Sequence, residues 1–334
     1  MDSQRVFPAL NERGEIRVAC SSITPQNRAG FIMEGPTLLV LAAGLGSRYG
    51  SLKQMASMGP DGETILDYSL YDAICSGFRR VVFVIREEFE EAFRTKVGER
   101  FKDLIEVGYA FQRLEDIPVG FEVPADRTKP WGTAHAVYAA RHEISGSFAA
   151  INADDFYGRD AYAQVAGFLA DPASDSHLPY CLVGYRLGTT LSEHGGVNRG
   201  VTSHEQEFLR DVEEISGISR HGDGRILGYA ADGSARELME SDLVSMNFWG
   251  FTSELFSQLE GKFRGFLESR NDLVTAEWHI PTVVDTLLKT KEATCHVIPT
   301  SGTWFGVTHL KDTEPAVERI RGLIAAGEYP SPLG

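Results

Sequence analysis

The chain has 334 residues, 43% of them hydrophobic, and carries a formal net charge of −15. That length and apolar content allow a large buried core, in the size range where single α/β domains are common. The negative charge argues against nucleic acids and anionic membranes as partners, because both would repel this chain. An acidic protein that binds a nucleotide must gather its cations locally or recruit a metal ion.

The N-terminal part shows no targeting or membrane signal. Residues 1–35 are polar and aperiodic, so we expect a poorly ordered extension, with a small hairpin against the body as the alternative. No apolar run approaches the length of a membrane span, and no basic segment precedes an apolar one as in a secretion signal.

The cysteines form no paired metal spacing and predict reduced thiols in a cytoplasmic protein. They are Cys20, Cys75, Cys181 and Cys295.

The first predicted element is a strand that ends in a glycine-rich turn. Residues 38–41 form a continuous apolar run, typical of a strand buried on both faces of a parallel sheet. Small residues follow at 42–44 and again at Gly46, and successive N–H groups in such a turn can bind an anion. Arg48 offers a planar fork of donors for phosphate, and Lys53 offers a compact charge. Together these features predict a cradle for a triphosphate.

Two other glycine-loop motifs fit this stretch less well. The dinucleotide fingerprint needs its third glycine three places after the second, where this chain has Tyr49, and Gly50 comes one residue too late. That spacing disfavours a nicotinamide oxidoreductase. The P-loop must end in Gly-Lys-Ser/Thr, whereas the chain reads Ser51-Leu52-Lys53-Gln54.

The rest of the N-terminal half alternates between helices and buried strands. Helices are predicted at 62–77, 87–97, 133–143 and from 160, and strands at 81–85, 106–112, 147–151 and 179–186. This alternation predicts an α/β fold, with a mixed, mainly parallel, Rossmann-like sheet between helices on both faces. The segment 113–130 carries three prolines and is expected to be a long loop.

A different pattern starts after residue 186. Strands are predicted from Gly200 and at 208–215, 217–228 (a hairpin), 244–251, 293–298 and 303–307, and helices at 252–259, 276–288 and 315–325. Because several strands now follow one another without intervening helices, this half predicts a smaller antiparallel portion.

Polar residues gather where the predicted strands end. Gln112 ends one strand, and Asn152, Ala153, Asp154 and Asp155 follow another. In open α/β sheets, ligands sit outside the carboxyl ends of the strands. An acidic pair there, opposite a phosphate cradle, suits Mg²⁺, which prefers one or two carboxylates together with phosphate oxygens and water. The alternative is that both acids only shape the turn before the next helix.

These motifs resemble those of the sugar-1-phosphate nucleotidylyltransferase superfamily. Its signature, L-A-A-G-x-G-x-R followed by Lys-Gln or Lys-Pro, is similar to residues 41–48 and Lys53-Gln54. The resemblance spans about 36–308 and implies a GT-A-like nucleotidyltransferase domain over 36–310. Within it, 36–186 would bind the nucleotide and 187–310 the acceptor, and a C-terminal helix and tail would follow at 311–334.

The resemblance also implies roles for residues of the nucleotide half. Arg48, Lys53 and Asp154 would be the catalytic residues, and Asp154 would hold Mg²⁺, with Asp155 as a second metal residue acting through water. Gln112 would read the edge of the base, which would lie against the backbone at Gly132. The nucleotide-binding residues would be Leu41, Ala42, Ala43, Gly44, Gly46, Ser47, Gln112, Gly132 and Thr133.

The acceptor half is similar to the family at fewer positions. The resemblance implies acceptor contacts from Gly200, Glu213 (or Glu214, one place along), Asn247 and Glu277. The alternative for each is an ordinary turn glycine or a solvated polar side chain.

Two departures from the family pattern affect this half. The family's sugar-phosphate lysine would fall at Glu214 or, in the shifted register, at Ile215, and neither is a cation. Its second metal carboxylate, in W-x-D-x-G-T, would fall at Gly306. The missing cation could come from Arg186, Lys129 or Arg199, and the missing carboxylate from Asp312 or Asp155.

The function that the resemblance implies is Mg²⁺-dependent nucleotidyl transfer from an NTP to a sugar 1-phosphate, which yields an NDP-sugar and pyrophosphate. A non-sugar acceptor such as phosphocholine is one alternative, and a non-catalytic nucleotide-sugar sensor is another. The sequence leaves the base, the acceptor and a homo-oligomeric state open.

Overall fold

The computed structural model describes residues 35–44, 57–171, 178–192, 195–307 and 312–333. The expected N-terminal extension, up to residue 34, lies outside the described residues. The same holds for four predicted site residues, namely Gly46, Ser47, Arg48 and Lys53.

Thirteen strands are formed by the described residues. They are β1 (Thr37–Leu41), β2 (Arg80–Ile85), β3 (Glu106–Phe111), β4 (Phe148–Asn152), β5 (Asp155–Phe156), β6 (Pro179–Arg186), β7 (Val197–Glu205), β8 (Phe208–Arg220), β9 (Ile226–Tyr229), β10 (Ala235–Leu238), β11 (Leu243–Phe251), β12 (Thr294–Pro299) and β13 (Phe305–Gly306).

The α-helical segments are α1 (Ile65–Cys75), α2 (Glu90–Phe93), α3 (Glu99–Phe101), α4 (Thr133–Ala139), α5 (Arg159–Ala170), α6 (Leu187–Thr190), α7 (Leu255–Ser269), α8 (Ile280–Lys289) and α9 (Thr313–Ala325). A 3₁₀ turn (Glu87–Phe89) precedes α2, and a π-helical turn (Arg94–Gly98) joins α2 to α3.

One large mixed sheet organises the molecule. Its strand order is β10-β9-β8-β12-β6-β11-β4-β1-β2-β3, and β7 pairs with both β8 and β11. Strand β1 runs parallel to β2 and β4, β2 runs parallel to β3, and β11 runs antiparallel between β4 and β6. The prediction of a mixed α/β sheet with an antiparallel portion in the second half is therefore confirmed.

Both faces of the central sheet are covered, as the continuous apolar run in β1 predicts. Leu38 and Val40 are fully buried in one apolar cluster together with residues of α1 and α5. Leu39, which points to the opposite face, is fully buried in a second cluster with residues of α4, α7 and α8. A third cluster joins α1 to α9 and the C-terminal tail.

Several helix boundaries differ from prediction for local reasons. Helix α1 begins at Ile65, because Thr64 and Asp67 form a capping box at its start. Helix α7 continues to Ser269, well beyond the predicted end at 259, and buries further aromatic residues on one face. Helix α8 begins at Ile280 rather than at 276, with Pro281 in its first turn. Glu277 is therefore in a loop and not on the predicted helix.

The cysteine prediction is only partly right. Cys181 and Cys295 are free, buried thiols, whereas Cys75 is disulfide-bonded, so the expectation of reduced thiols is wrong for Cys75. None of the described helices is both long and apolar enough to cross a membrane.

The C-terminal tail is held against α1 by a buried carboxylate. The Asp72 side chain is 1% exposed and accepts hydrogen bonds from the Tyr329 hydroxyl at 2.5 Å and from Arg159 Nε at 3.2 Å. Arg159 also donates to the Glu328 carbonyl at 2.9 Å. Burial raises the pKa of Asp72 to about 6, against the lowering effect of Tyr329 and Arg159.

This pKa predicts that stability falls as the pH rises. A carboxyl whose pKa is higher in the folded state binds more protons there, so its contribution is complete below about pH 4 and is lost as the pH passes about 6. We expect the difference in free energy of unfolding between wild type and Asp72→Asn to fall by about 2–3 kcal/mol over this range. Denaturant unfolding at several pH values measures it, and a difference that stays constant or increases would contradict the assignment.

Candidate functional site

A large cavity of about 1710 Å³ opens at the carboxyl ends of the central strands. A pocket for one small ligand usually measures roughly 300–1,000 Å³, so this cavity has room for two substrates side by side. The predicted site residues that line it are Leu41, Ala43, Gly44, Gln112, Gly132, Thr133, Asp154, Asp155, Glu214 and Glu277.

Other predicted residues do not line the cavity. Ala42 is buried in the sheet, where its N–H donates to the Val84 carbonyl at 2.9 Å. Gly200 lies within β7, where an added Cβ would come within 2.7 Å of the Val212 side chain. The glycine at 200 is therefore explained by packing between β7 and β8.

The two adjacent glutamates on β8 point to opposite sides. Glu213, the preferred acceptor residue by sequence, is outside the cavity and pairs with Arg236 at 3.1 Å. Glu214 lines the cavity, where partial desolvation raises its pKa against the lowering effect of Arg199 and His279. Successive strand residues face opposite sides of a sheet, so only one of the two can face a ligand.

Asn247 belongs to a polar network beneath the cavity instead of lining it. Its Nδ2 donates to Asn152 Oδ1 at 2.7 Å, and its Oδ1 accepts from Trp249 Nε1 at 3.0 Å. Asn152 Nδ2 in turn donates to Asp155 Oδ2 at 2.8 Å. Asn247 has φ +64° where β11 changes register between Ser245 and Trp249, and this bulge turns its side chain towards Asn152.

The acidic pair lies directly after β4, as predicted. Asp154 is half-buried in the cavity lining, whereas Asp155 is 7% exposed and accepts hydrogen bonds from Asn152 and Tyr157. Burial, and next the charge of Asp154, raise the pKa of Asp155. Strand pairing puts Gly306 opposite Asp155, and a Cβ at 306 would come within 2.7 Å of Asp155 Oδ1.

This donor set fits a hard divalent cation. The described ranges contain no cluster of three or more Asp, Glu, His or Cys side chains suited to a metal. Magnesium needs only one or two carboxylates when phosphate oxygens and water complete its coordination. Asp154 and Asp155 at the cavity edge meet that requirement, and a cation would offset the repulsion that raises the pKa of Asp155.

Gln112 and Gly132 meet at the other side of the cavity. Gln112 Nε2 donates to the Gly132 carbonyl at 3.0 Å and lies 3.2 Å from His135 Nδ1. Gly132 precedes α4, and its φ of +107° suits glycine alone. An added Cβ there would come within 2.4 Å of the Trp278 carbonyl oxygen. The backbone of Trp278 bonds on both sides of Gly132, to Trp131 and Ala134.

Gly132→Ala should therefore cost about 3 kcal/mol of unfolding free energy, from positive φ and the clash with the Trp278 backbone together. Gly120→Ala is the matched control, because Gly120 has φ +98° but nothing within 4 Å of an added Cβ. The control should lose only about 1 kcal/mol. Denaturant unfolding compares the two, and equal losses would show that the contact with Trp278 contributes nothing.

Arg199 is the most enclosed of the three candidate cations. It lines the cavity, and its pKa falls to about 10 through burial, opposed by Asp155 and Glu214, so it stays charged at neutral pH. Its Nε and Nη2 donate to the side chain and carbonyl of Thr190, and its Nη1 donates to the Asn198 carbonyl. The described residues thus engage three of its five N–H groups, which leaves two for a ligand. The guanidinium also lies 4.9 Å from the centre of the Trp304 ring.

The other two candidate cations are placed differently. Lys129 lines the cavity but is paired with Glu277 at 3.2 Å, and His279 lies 3.7 Å from the same carboxylate. Arg186 is exposed and does not line the cavity.

The structure adds cavity residues to which the sequence assigned no role. They include Asn152, Ser192, Asn198, His279 and Arg319. Asn152 was noted in the sequence only as a polar residue beside the acidic pair, and in the structure it ends β4. The others come from loops, from β7 and from α9, and no motif marks them.

Comparisons with known proteins bear on the family and the fold of the chain. Residues 38–189 match the family model for nucleotidyl transferase. No curated protein matches the sequence.

Three solved structures are similar over most of their length. A UDP-glucose pyrophosphorylase with UDP-glucose is 15% identical, with TM-score 0.54 and coverage of 86% of this chain and 99% of that one. An inositol-1-phosphate CTP transferase from T. maritima is 13% identical, with TM-score 0.52 and coverage of 86% and 96%. A protein from Bacillus anthracis assigned as a glucose-1-phosphate thymidylyltransferase, in complex with sucrose, is 13% identical, with TM-score 0.55 and coverage of 86% and 96%. The family match over residues 38–189 confirms the resemblance that the sequence motifs indicated, and the solved structures share the fold.

Proposed function

We propose that the chain, a nucleotidyltransferase by the family match over residues 38–189, transfers a nucleotidyl group from an NTP to a sugar 1-phosphate. The products would be an NDP-sugar and pyrophosphate. The observation that carries this proposal is one cavity that joins predicted base, metal and acceptor residues: Gln112, Asp154 and Glu214. The GT-A-like assignment of the two halves belongs to the same proposal.

The reaction requires little covalent chemistry from the protein. An oxygen of the acceptor phosphate attacks the α-phosphorus in line, the bond to the bridging oxygen breaks, and pyrophosphate leaves with that electron pair. Catalysis is then a matter of positioning both substrates and stabilising negative charge. From the sequence motif, Arg48 would hold the β- and γ-phosphates and Lys53 the α-phosphate; both lie outside the described residues.

Asp154 and Asp155 would hold Mg²⁺ at the edge of β4. The ion, when bound, withdraws charge from the phosphates and so favours attack at phosphorus. Asp155, rather than Asp312, would replace the carboxylate that the family pattern has at position 306, because it occupies the space that a side chain at 306 would need. Asn152, Tyr157 and, one step further out, Asn247 orient Asp155.

Arg199 would replace the family's sugar-phosphate lysine. Two of its N–H groups are left for a ligand, and its charge lies near both Asp155 and Glu214. A planar guanidinium can hold a phosphate through two parallel hydrogen bonds. Hydroxyl groups of the acceptor substrate would then donate hydrogen bonds to Glu214. This is the role that the resemblance gives to the family's glutamate.

The test is pyrophosphate release in the presence of Mg²⁺, with the common NTPs crossed against a panel of sugar 1-phosphates, inositol 1-phosphate and phosphocholine. We expect release with a sugar 1-phosphate and one NTP. Release with phosphocholine alone would favour the non-sugar acceptor. NTP binding without release across the panel would favour a non-catalytic sensor.

A further inference from the structure

A buried histidine lies directly behind the side chain that would read the base. We propose that His135 is a positioning residue: it fixes the Gln112 amide so that Oε1 is left for the nucleotide, and the site therefore prefers uracil or thymine over cytosine. The inference rests on the proposed function, since it concerns the base of the same NTP.

The tautomer of His135 follows from its partners. His135 is fully buried, and its Nε2 lies 2.8 Å from the Asp116 carbonyl oxygen. A carbonyl can only accept, so Nε2 must carry the proton and donate it. Burial lowers the pKa of His135 to about 4, so the ring is neutral at pH 7. Its Nδ1 is therefore left without a proton and must act as an acceptor.

The orientation of the Gln112 amide then follows. Its amide nitrogen carries two hydrogens, and the two nearest partners, the Gly132 carbonyl and His135 Nδ1, are both acceptors. If the amide were reversed, Oε1 would face both of them and two repulsive contacts would replace two hydrogen bonds. Oε1 is thus the amide atom left to meet a ligand in the cavity, which Gln112 lines.

An outward-facing acceptor discriminates between pyrimidines. Uracil and thymine carry a hydrogen on N3, which can donate to an Oε1 that faces N3. Cytosine has a lone pair at N3, which would repel Oε1, and the base would have to shift along its edge to donate from its 4-amino group instead. A site built to hydrogen-bond one arrangement of donors and acceptors on a base rejects a base with a different arrangement, because buried polar groups are then left unpaired. His135 takes part only through Gln112, because its own side chain is fully buried and does not line the cavity.

Two variants of similar size separate positioning from packing. His135→Asn keeps an oxygen near the position of Nδ1, where it can still accept from Gln112. His135→Gln keeps a donor near the position of Nε2 for the Asp116 carbonyl and leaves nothing to hold Gln112. A residue that acted only through packing would affect base preference similarly in both variants.

The experiment measures the dissociation constants of UTP, dTTP and CTP by calorimetry, with Mg²⁺ and without acceptor. We expect wild type to bind UTP or dTTP at least about tenfold more tightly than CTP, a difference of about 1.4 kcal/mol. This ratio should fall at least about threefold in His135→Gln and stay near the wild-type value in His135→Asn.

The outcomes separate this inference from the proposed function. A wild-type ratio in His135→Gln, or a wild-type preference for CTP, would overturn the inference alone. A wild type that binds no NTP would overturn both. If His135→Gln fails to fold, ¹⁵N spectra of wild-type His135 decide: protonated Nε2 with unprotonated Nδ1 supports the inference, and the opposite tautomer overturns it.

Discussion

Asp154→Asn should reduce kcat/KM on the order of 10³-fold and shift the Mg²⁺ dependence to higher concentration. Asp154 ends the turn after β4 in the cavity lining, and Asp155 directly behind it is bonded to Asn152 and Tyr157. Asparagine keeps the shape but removes the charge that a divalent cation requires, and the loss of such electrostatic stabilisation costs a large part of the rate. Pyrophosphate release over a Mg²⁺ titration measures both effects.

Asp160→Asn is the matched control for this variant. Asp160 follows closely along the chain but bonds to Thr300 and Ser301 and does not line the cavity. We expect its Mg²⁺ titration to match that of wild type. An unchanged titration in Asp154→Asn would return Asp154 to a structural role in the turn.

Arg199→Met should raise KM for the acceptor by roughly 30- to 100-fold, with a much smaller change in KM for the NTP. The expected size is that of one or two hydrogen bonds to a charged phosphate. Methionine keeps much of the apolar stem but removes every donor, together with the guanidinium that lies over the Trp304 ring. Arg199→Lys should recover part of the loss, because it restores a point charge without the fork.

Arg186→Met is the control that removes one positive charge outside the cavity. Arg186 ends β6 close to α6, is exposed and does not line the cavity. We expect wild-type kinetics in that variant. If Arg199→Met raised KM for the NTP instead of the acceptor, Arg199 would belong to the nucleotide side of the cavity.

The residues at strand ends could be predicted from the sequence because the geometry of parallel strands is simple. Buried apolar runs identified β1, β2 and β4, and their carboxyl ends meet at one edge of the sheet. Gln112 and Asp154 are brought to the cavity by this rule alone. The capping box of α1 and the proline in α8 likewise account for helix starts that a periodicity argument places a few residues too early.

The acceptor side could not be predicted in the same way, because it depends on strand register. A shift of one residue exchanges the two faces of a strand, and this decides between Glu213 and Glu214. Strand β8 changes register against both β7 and β9, and β11 has a bulge at Asn247. No sequence pattern marks these irregularities. The position of His135 behind Gln112 depends on the packing of α4 against β3, which is likewise a tertiary feature.

The most direct test of the central claim follows the phosphorus atoms. The protein is incubated with Mg²⁺, the acceptor panel and each NTP, labelled with ³²P at either the α- or the γ-position. Nucleotidyl transfer predicts that the α-label appears in the acceptor product and the γ-label appears in pyrophosphate, in equal amounts. A γ-label on the acceptor or in free phosphate would contradict the proposal, because the acceptor or water would then have attacked the γ-phosphorus.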